Sequence, residues 1–236
     1  MDKIVVWITG ASTGIGREIA KRFAKDNIFV IVSARRKSRL VSLVSEIKFS
    51  GGNAAAIVCD VSSERSVQNT VRKINEKYGK ISVLINNAGS TVFKSFVDTK
   101  ITEFDNIIGT NLRGAFICMK TVVPQMLKIK KGHIINILSV AAVNTMTNSS
   151  VYSASKAALL ALSKCMREEL RKDNIKITNI LPGATETPMW DAKTRQKKHN
   201  RMMSPAAIAD IVYFSYSQPK NLIVEDIIIR PQKGDL

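Results

Sequence analysis

Tyr152 and Lys156 stand four residues apart in the segment Val151-Tyr-Ser-Ala-Ser-Lys-Ala-Ala-Leu-Leu. On a helix that spacing brings the phenol and the ammonium to one face, about 5–6 Å apart at Cβ. A free tyrosine titrates near pH ~10, so using it as a proton donor and acceptor near neutrality requires stabilising its phenolate by roughly 4 kcal/mol. A lysine cation at ~4 Å in an effective dielectric of ~20 supplies about that much. Taken alone, the pair is equally an accident of a helix rich in serine and alanine.

A second cluster lies near the start of the chain, where an apolar run passes into Thr9-Gly-Ala-Ser-Thr-Gly-Ile-Gly16 and then a helical pattern. Glycines there let the backbone turn tightly and approach a pyrophosphate, which meets the free N–H groups and positive dipole end of the helix. A plain strand-to-helix turn has the same composition, but the strand before and the helix after favour a dinucleotide. The second apolar run ends in Val32-Ser-Ala-Arg-Arg-Lys. A fold selective for NAD usually places an acid there for the ribose 2′-hydroxyl. With no carboxylate present, Arg35 and Arg36 suit a 2′-phosphate, which points to NADP(H) with NAD(H) as the lesser alternative.

The elements that must position these residues follow from periodicity. Short β-branched runs at 4–9, 29–33, 54–59, 83–85, 134–138, 177–181 and 225–230 alternate with helical patterns of about 10–25 residues. This is the signature of repeated βαβ units, so the expected fold is α/β: one doubly wound Rossmann domain over 1–236, with a parallel sheet of about seven strands flanked by helices. Ser204-Pro205 opens a late helix over 206–215. In such sheets ligands bind beyond the carboxyl ends of the strands. The polar and glycine-rich stretches fall there: 10–16, 34–36, Asp60, 86–89, Ser139 and 182–187.

Composition narrows the class. A chain of 236 residues suits a single domain of this type. No stretch reaches the ~18 apolar residues of a membrane span, and Asp2 and Lys3 precede only a short apolar run, so a cytoplasmic chain is expected. Cys59, Cys118 and Cys165 are odd in number and widely spaced, unlike a disulfide framework, and with only His133 and His199 present no metal centre is expected. The net charge of +17 raises the question of an anionic partner. The one dense basic run, Lys193, Arg195, Lys197, Lys198, His199 and Arg201, has no interleaved aromatic residues to stack on bases. It reads as a solvated face, with an anion-contacting surface as the alternative.

Thr9-Gly-Ala-Ser-Thr-Gly-Ile-Gly16, Asn86-Asn-Ala-Gly89, Asn111, Ser139, Tyr152-x-x-x-Lys156 and Pro182-Gly183, in that order and spacing, resemble the short-chain dehydrogenase/reductase family over essentially the whole chain. The resemblance implies catalytic roles for Asn111, Ser139, Tyr152 and Lys156. Tyr152 would be the general acid/base, and Lys156 would lower its pKa and hold the nicotinamide ribose. Ser139 would orient the substrate oxygen, and Asn111 would hold a water in a proton relay. Cofactor contacts would come from Gly10, Ser12, Thr13, Gly14, Ile15, Gly16, Arg35 and Arg36, with Asp60 and Val61 at the adenine. Asn87, Ala88 and Gly89 would line the adenosine ribose, with Thr185 and Thr187 near the nicotinamide. The variable lid of the family falls at 188–203 and is short here, suggesting an open site for a small carbonyl or alcohol substrate. Met189, Trp190, Met202 and Met203 are candidates for its apolar wall. A 3-oxoacyl-[acyl-carrier-protein] reductase is the alternative, weakened by the ending Glu225-Asp-Ile-Ile-Ile-Arg-Pro-Gln-Lys-Gly. A non-catalytic NADP-binding or nucleic-acid-binding protein on the same fold is the alternative of another class. The family also implies a homodimer or homotetramer through long helices around 102–131 and 150–171.

Overall fold

The computed structural model describes residues 4–26 and 28–236. Asp2 and Lys3 lie outside them. The first half of the chain alternates β1 (Val5–Thr9), α1 (Gly14–Ala24), β2 (Phe29–Ala34), α2 (Lys37–Phe49), β3 (Asn53–Val58), α3 (Glu64–Lys77) and β4 (Ile81–Asn86). The second half continues with α4 (Ile101–Ile108), α5 (Ala115–Ile129), β5 (Gly132–Ile137), α6 (Ser150–Arg171), β6 (Ile175–Pro182), α7 (Ala192–Lys198), α8 (Pro205–Tyr216) and β7 (Asp226–Ile229). All seven strands pair in parallel, in the order β3-β2-β1-β4-β5-β6-β7. Each apolar run in the sequence therefore becomes a strand, with boundaries shifted by a few residues.

Parallel strands covered on both faces need side chains that are apolar in both directions. β1 shows why: Val5 and Trp7 enter one core with α3, α5 and α6, while Val6 and Ile8 enter the other with α1, α2 and α8. Strand order reverses between β1 and β4, which opens a crevice at their carboxyl ends.

One expectation needs correction. The helical pattern over 102–131 is not one helix: a π-helical turn at Gly109–Gly114 separates α4 from α5. Gly109 and Gly114 bound the wider turn, and a side chain at Gly114 would meet Val61 Cγ2 at 2.9 Å. Asn111 sits inside that turn, where wide turns of this kind are frequent at functional sites.

The far edge of the sheet is held by a buried arginine. β7 has four residues and pairs only with β6. Arg167 of α6 donates to Ile177 O (2.9 Å), Glu225 O (2.9 Å) and Asp226 Oδ1 (2.6 Å), and Asn179 Nδ2 also donates to Asp226 Oδ1 (2.9 Å). Burial works against the Asp226 carboxylate, but these bonds prevail and hold its pKa below the ordinary value. Replacing Arg167 with alanine removes the hydrogen-bonded cation, leaves that carboxylate with only the more distant Lys164 cation at 3.8 Å, and frees the edge strand. Urea unfolding is expected to show a loss of about 2–3 kcal/mol, whereas a loss within ~0.5 kcal/mol would mean that solvent already screens the pair.

Candidate functional site

A cleft of about 630 Å³ opens over the carboxyl ends of the strands. At one end the loop 10–13 carries β1 into α1. Gly10 and Gly14 have φ of +65° and +59°, in the left-handed region. A Cβ on Gly10 would lie 2.6 Å from Ala88 Cα, and one on Gly14 would lie 3.1 Å from Thr187 Cγ2. Gly16 does not line the cleft; a Cβ there would collide with the Asn87 amide, so its role is to let α1 approach β4. Thr13, at the N-cap of α1, makes no side-chain capping bond, so an anion in the cleft has helix-start N–H groups to meet.

Asn87 holds this loop in shape. Its Nδ2 donates to Thr9 O (3.0 Å) and Gly10 O (3.1 Å), while Thr9 Oγ1 accepts from the backbone N–H groups of Asn87 and Ala88, both at 3.1 Å. Asn87, Ala88 and Gly89 all line the cleft, and the Asn87 amide donates into the glycine loop.

Ser139, Tyr152 and Lys156 converge in the middle. Ser139 ends the segment after β5, and Tyr152 and Lys156 project from the first turns of α6. Ser139 and Tyr152 are each 9% exposed and Lys156 4%, and all three line the cleft. Burial pushes the Tyr152 phenol above its ordinary pKa, against the lowering effect of a hydrogen bond with the Ser139 hydroxyl. Lys156 Nζ donates to Ile137 O at 2.8 Å and lies 5.7 Å from the Tyr152 ring centroid. Burial lowers its pKa to about 8. The net shift of the phenol is upward, because burial outweighs the groups that favour the phenolate.

Asn111 stands one layer behind. It is 1% exposed and does not line the cleft. Its Nδ2 donates to Ser155 Oγ (2.9 Å) and Ser90 O (3.0 Å), and its Oδ1 accepts from Ser90 N (2.8 Å). It thus ties the π-helical turn to α6 and to the loop after β4. A Cβ on Gly89 would lie 3.5 Å from Asn111 Oδ1 and 3.7 Å from Lys156 Nζ, ordinary contact distances that place Gly89 beside both groups.

The rim gathers the remaining expected residues. Ser12, Thr13, Ile15, Arg35, Arg36, Asp60, Val61, Thr185 and Thr187 all line the cleft. Arg36 donates to Ser12 Oγ at 3.3 Å, which brings the end of β2 to the glycine loop. Asp60 Oδ1 accepts from Ser62 N and Ser62 Oγ, shaping the turn after β3. Thr185 is bridged to Met203, and Thr185 Oγ1 donates to Gly183 O.

The short lid carries an aromatic contact with the loop after β4. Trp190 stacks on Phe93 with ring centroids 4.8 Å apart and planes 13° from parallel, and both line the cleft. Phe93 follows β4 and Trp190 follows β6, so the pair spans the carboxyl end of β5 between them, where Ser139 stands. The sequence marked Trp190 but gave no reason to pair it with Phe93. The basic run forms α7 and the turn after it; α7 buries no residue, and His199 Nδ1 pairs with Glu186 at 3.0 Å. Cys59 and Cys118 are buried and Cys165 exposed, all free. Among the described residues no helix is long and apolar enough to cross a membrane.

The buried lysine has a thermodynamic signature. Its folded pKa lies below the unfolded value, so between about 8 and ~10.5 the unfolded chain binds more protons and stability rises with pH. Below that window the charged amine costs stability in full. Substituting Lys156→Met removes the term, so its unfolding free energy relative to wild type should be most favourable near pH ~7 and decline by about 2 kcal/mol towards pH ~10. Parallel pH profiles for the two proteins would show instead that the amine is solvated.

The model of the short chain dehydrogenase family matches residues 4–198. A sepiapterin reductase of Chlorobaculum tepidum is 36% identical over 99% of this chain and 98% of its own. A metagenomic short-chain oxidoreductase solved with NADP is 30% identical, with a TM-score of 0.86 over 97% of both chains. The alcohol dehydrogenase of the archaeon Thermococcus sibiricus, solved with 5-hydroxy-NADP, is 27% identical, with a TM-score of 0.91 over 100% of this chain and 99% of its own. With the family model covering most of the chain, and relatives of that kind aligned end to end, the protein belongs to the short-chain dehydrogenase family and is an oxidoreductase.

Proposed function

We propose that the protein reduces a small carbonyl compound with NADPH, or runs the reverse oxidation, with Tyr152 as the general acid/base. The observation that carries this reading is the convergence of the Ser139 and Tyr152 hydroxyls in a cleft whose other end is a backbone cradle for a pyrophosphate. A nicotinamide cofactor supplies or accepts the hydride.

In the reducing direction Ser139 and Tyr152 hydrogen-bond the carbonyl oxygen and polarise it. The raised pKa keeps the Tyr152 hydroxyl protonated near neutrality, ready to give its proton as negative charge develops on that oxygen. Lys156 presents a donor on the same helix face, anchored at Ile137 O, and stabilises the phenolate that results. Asn111 positions this machinery by holding Ser155, on the turn of α6 between Tyr152 and Lys156, and the backbone of Ser90.

Arg35 and Arg36 support NADP(H) over NAD(H): both reach the cleft, and no acid stands at the end of β2 to repel a 2′-phosphate. The solved relatives that carry NADP or a derivative of it agree with that choice. The relative named sepiapterin reductase makes sepiapterin a member of any substrate panel. Phe96, Val97, Ile101, Phe104 and Phe116, exposed around α4 and α5, support a homodimer or homotetramer. Sedimentation of the intact chain should give a dimer or tetramer, and a monomer at micromolar concentration would contradict it.

The test is NADPH and NADH oxidation with a carbonyl panel, on wild type and two variants. Tyr152→Phe should lose about 10²–10⁴-fold in kcat while still binding NADPH. Arg36→Ala should raise the KM for NADPH about tenfold and leave the NADH reaction nearly untouched, as loss of one charge-assisted bond implies. A fully active Tyr152→Phe overturns the mechanism, and equal use of both cofactors by wild type overturns the cofactor assignment.

A further inference from the structure

Past β7 the chain folds back over the cleft. Gly234, at φ +80°, donates its N–H to Pro231 O at 2.9 Å, and the backbone reverses there. Asp235 and Leu236 then line the cleft. They reach it from the edge strand beyond β5 and β6, so they wall the end away from the glycine loop. The fit against β6 is close. A Cβ on Gly183 would meet Asp235 Oδ1 at 2.5 Å and Pro231 Cδ at 3.1 Å.

Three pieces of the cleft wall meet at Asp235. Its Oδ2 accepts from Arg230 Nε at 2.9 Å and from Arg230 Nη2 at 2.6 Å. In the amide orientation that satisfies both of its ends, Asn144 accepts from the same Nη2 at 2.7 Å, and Asn144 belongs to the loop from Ser139 to Ser149. Asp235 O accepts from Arg201 Nη2 at 2.9 Å, and Arg201 lies in the lid. Residues 231–236 are thus fastened to the loop through Arg230 and to the lid through Arg201.

The fastening at Arg230 is poised to open. The Arg230 side chain is 49% exposed and that of Asp235 19%, and an ion pair open to solvent contributes little and is screened by salt. Asp235 Oδ1 is buried without a hydrogen-bond partner, so closing the pair costs that oxygen its hydration and gives nothing back. Attraction at Oδ2 and desolvation at Oδ1 oppose each other on one carboxylate. That opposition is what an element needs if it is to stand either open or closed. We infer that Arg230 and Asp235 form a salt-releasable clasp that holds residues 231–236 over the substrate end of the cleft, and that its release admits bulkier carbonyl compounds. Arg230 acts here as a positioning residue, through the segment that it holds. The inference rests on the carbonyl-reductase reading above and adds to it a control on substrate size.

Two ketones that share the reacting methyl ketone and differ in bulk test it: 2-butanone and 4-phenyl-2-butanone. At saturating NADPH the ratio of their kcat/KM values reports access, because effects on the cofactor and on proton transfer cancel. In Arg230→Met the ratio should shift towards the phenyl ketone by up to about fivefold, through its KM, as release of an exposed ion pair implies. In wild type the ratio should move the same way between about 0.05 and 0.5 M salt, and in the variant it should stay flat. Amide exchange without substrate gives a readout independent of turnover: the Gly234 N–H should exchange faster in Arg230→Met while the amides of β7 keep their wild-type protection. A ratio that ignores both the substitution and the salt, or an unchanged rate at Gly234, overturns the clasp while the reductase reading stands. If wild type oxidises NADPH with no member of the carbonyl panel, the reductase reading falls and takes the control on substrate size with it.

Discussion

The site depends on one seam, where the end of β1 is stitched to the end of β4. Thr9 Oγ1 accepts two backbone N–H bonds from Asn87 and Ala88 and donates to Ile85 O, while the Asn87 amide returns two bonds to Thr9 O and Gly10 O. The ladder between these strands ends at Ile8 and Ile85, so beyond it no strand pairing holds the two ends together. Side-chain bonds replace it. Because the seam is tight, the residues facing it have no room for a Cβ, and Gly10 and Gly16 follow as necessities of packing against Ala88 and Asn87. The shape of the glycine loop is thus a consequence of how two strands are joined, and the chain from Ala88 to Ser90 leaves the seam directly towards Asn111 and Lys156.

From that seam the cluster of Ser139, Tyr152 and Lys156 is reached through buried polar contacts. Asn111 holds Ser90 and Ser155, and Lys156 reaches back to Ile137 O at the end of β5. Further along the same helix Ser163 accepts from Asn136, which also donates to Asn179, and Arg167 reaches Asp226. α6 is therefore fixed against β5, β6 and β7 by hydrogen bonds along its length, in addition to the apolar contacts of Leu159 and Leu160. Hydrogen bonds are directional, whereas apolar contact tolerates a slide by a fraction of a turn. For a helix that carries Tyr152 into the cleft, the directional restraint is what fixes the reach of the phenol.

Much of this was legible in the sequence, for a physical reason. Parallel strands with both faces covered must be short continuous apolar runs, so all seven could be located within a few residues of their bounds. The glycine loop was legible because a backbone site for phosphate requires residues without side chains. Asn111 was legible as a residue but not as a geometry. Its π-helical turn interrupts a pattern that reads as one helix, since the apolar positions of α4 and α5 continue in step across it. The net pKa shift of Tyr152 was not legible, because spacing along a helix reports a shared face and says nothing about burial, which is the largest effect at the phenol.

The substrate end was least legible, and this follows from how it is made. The cofactor end is built from backbone, and a backbone site leaves a mark in composition because only a few residue types permit it. The substrate end is built from side chains carried on three separate loops: Phe93 after β4, Ser139 to Ser149 after β5, and Trp190 after β6. Phe93 and Trp190 are 97 residues apart in the chain and meet only because β4 and β6 flank β5. No periodicity links such residues, and any loop that supplies an aromatic ring from either side would serve. The local sequence at Ser149 even points the wrong way, since a serine before a helix reads as a cap. Its missing capping bond can be seen only once the helix start, the Asn148 turn and the loop after β4 have been placed together. A fold of this kind can therefore keep its redox chemistry constant in sequence while its choice of carbonyl compound resides in contacts that sequence alone does not juxtapose.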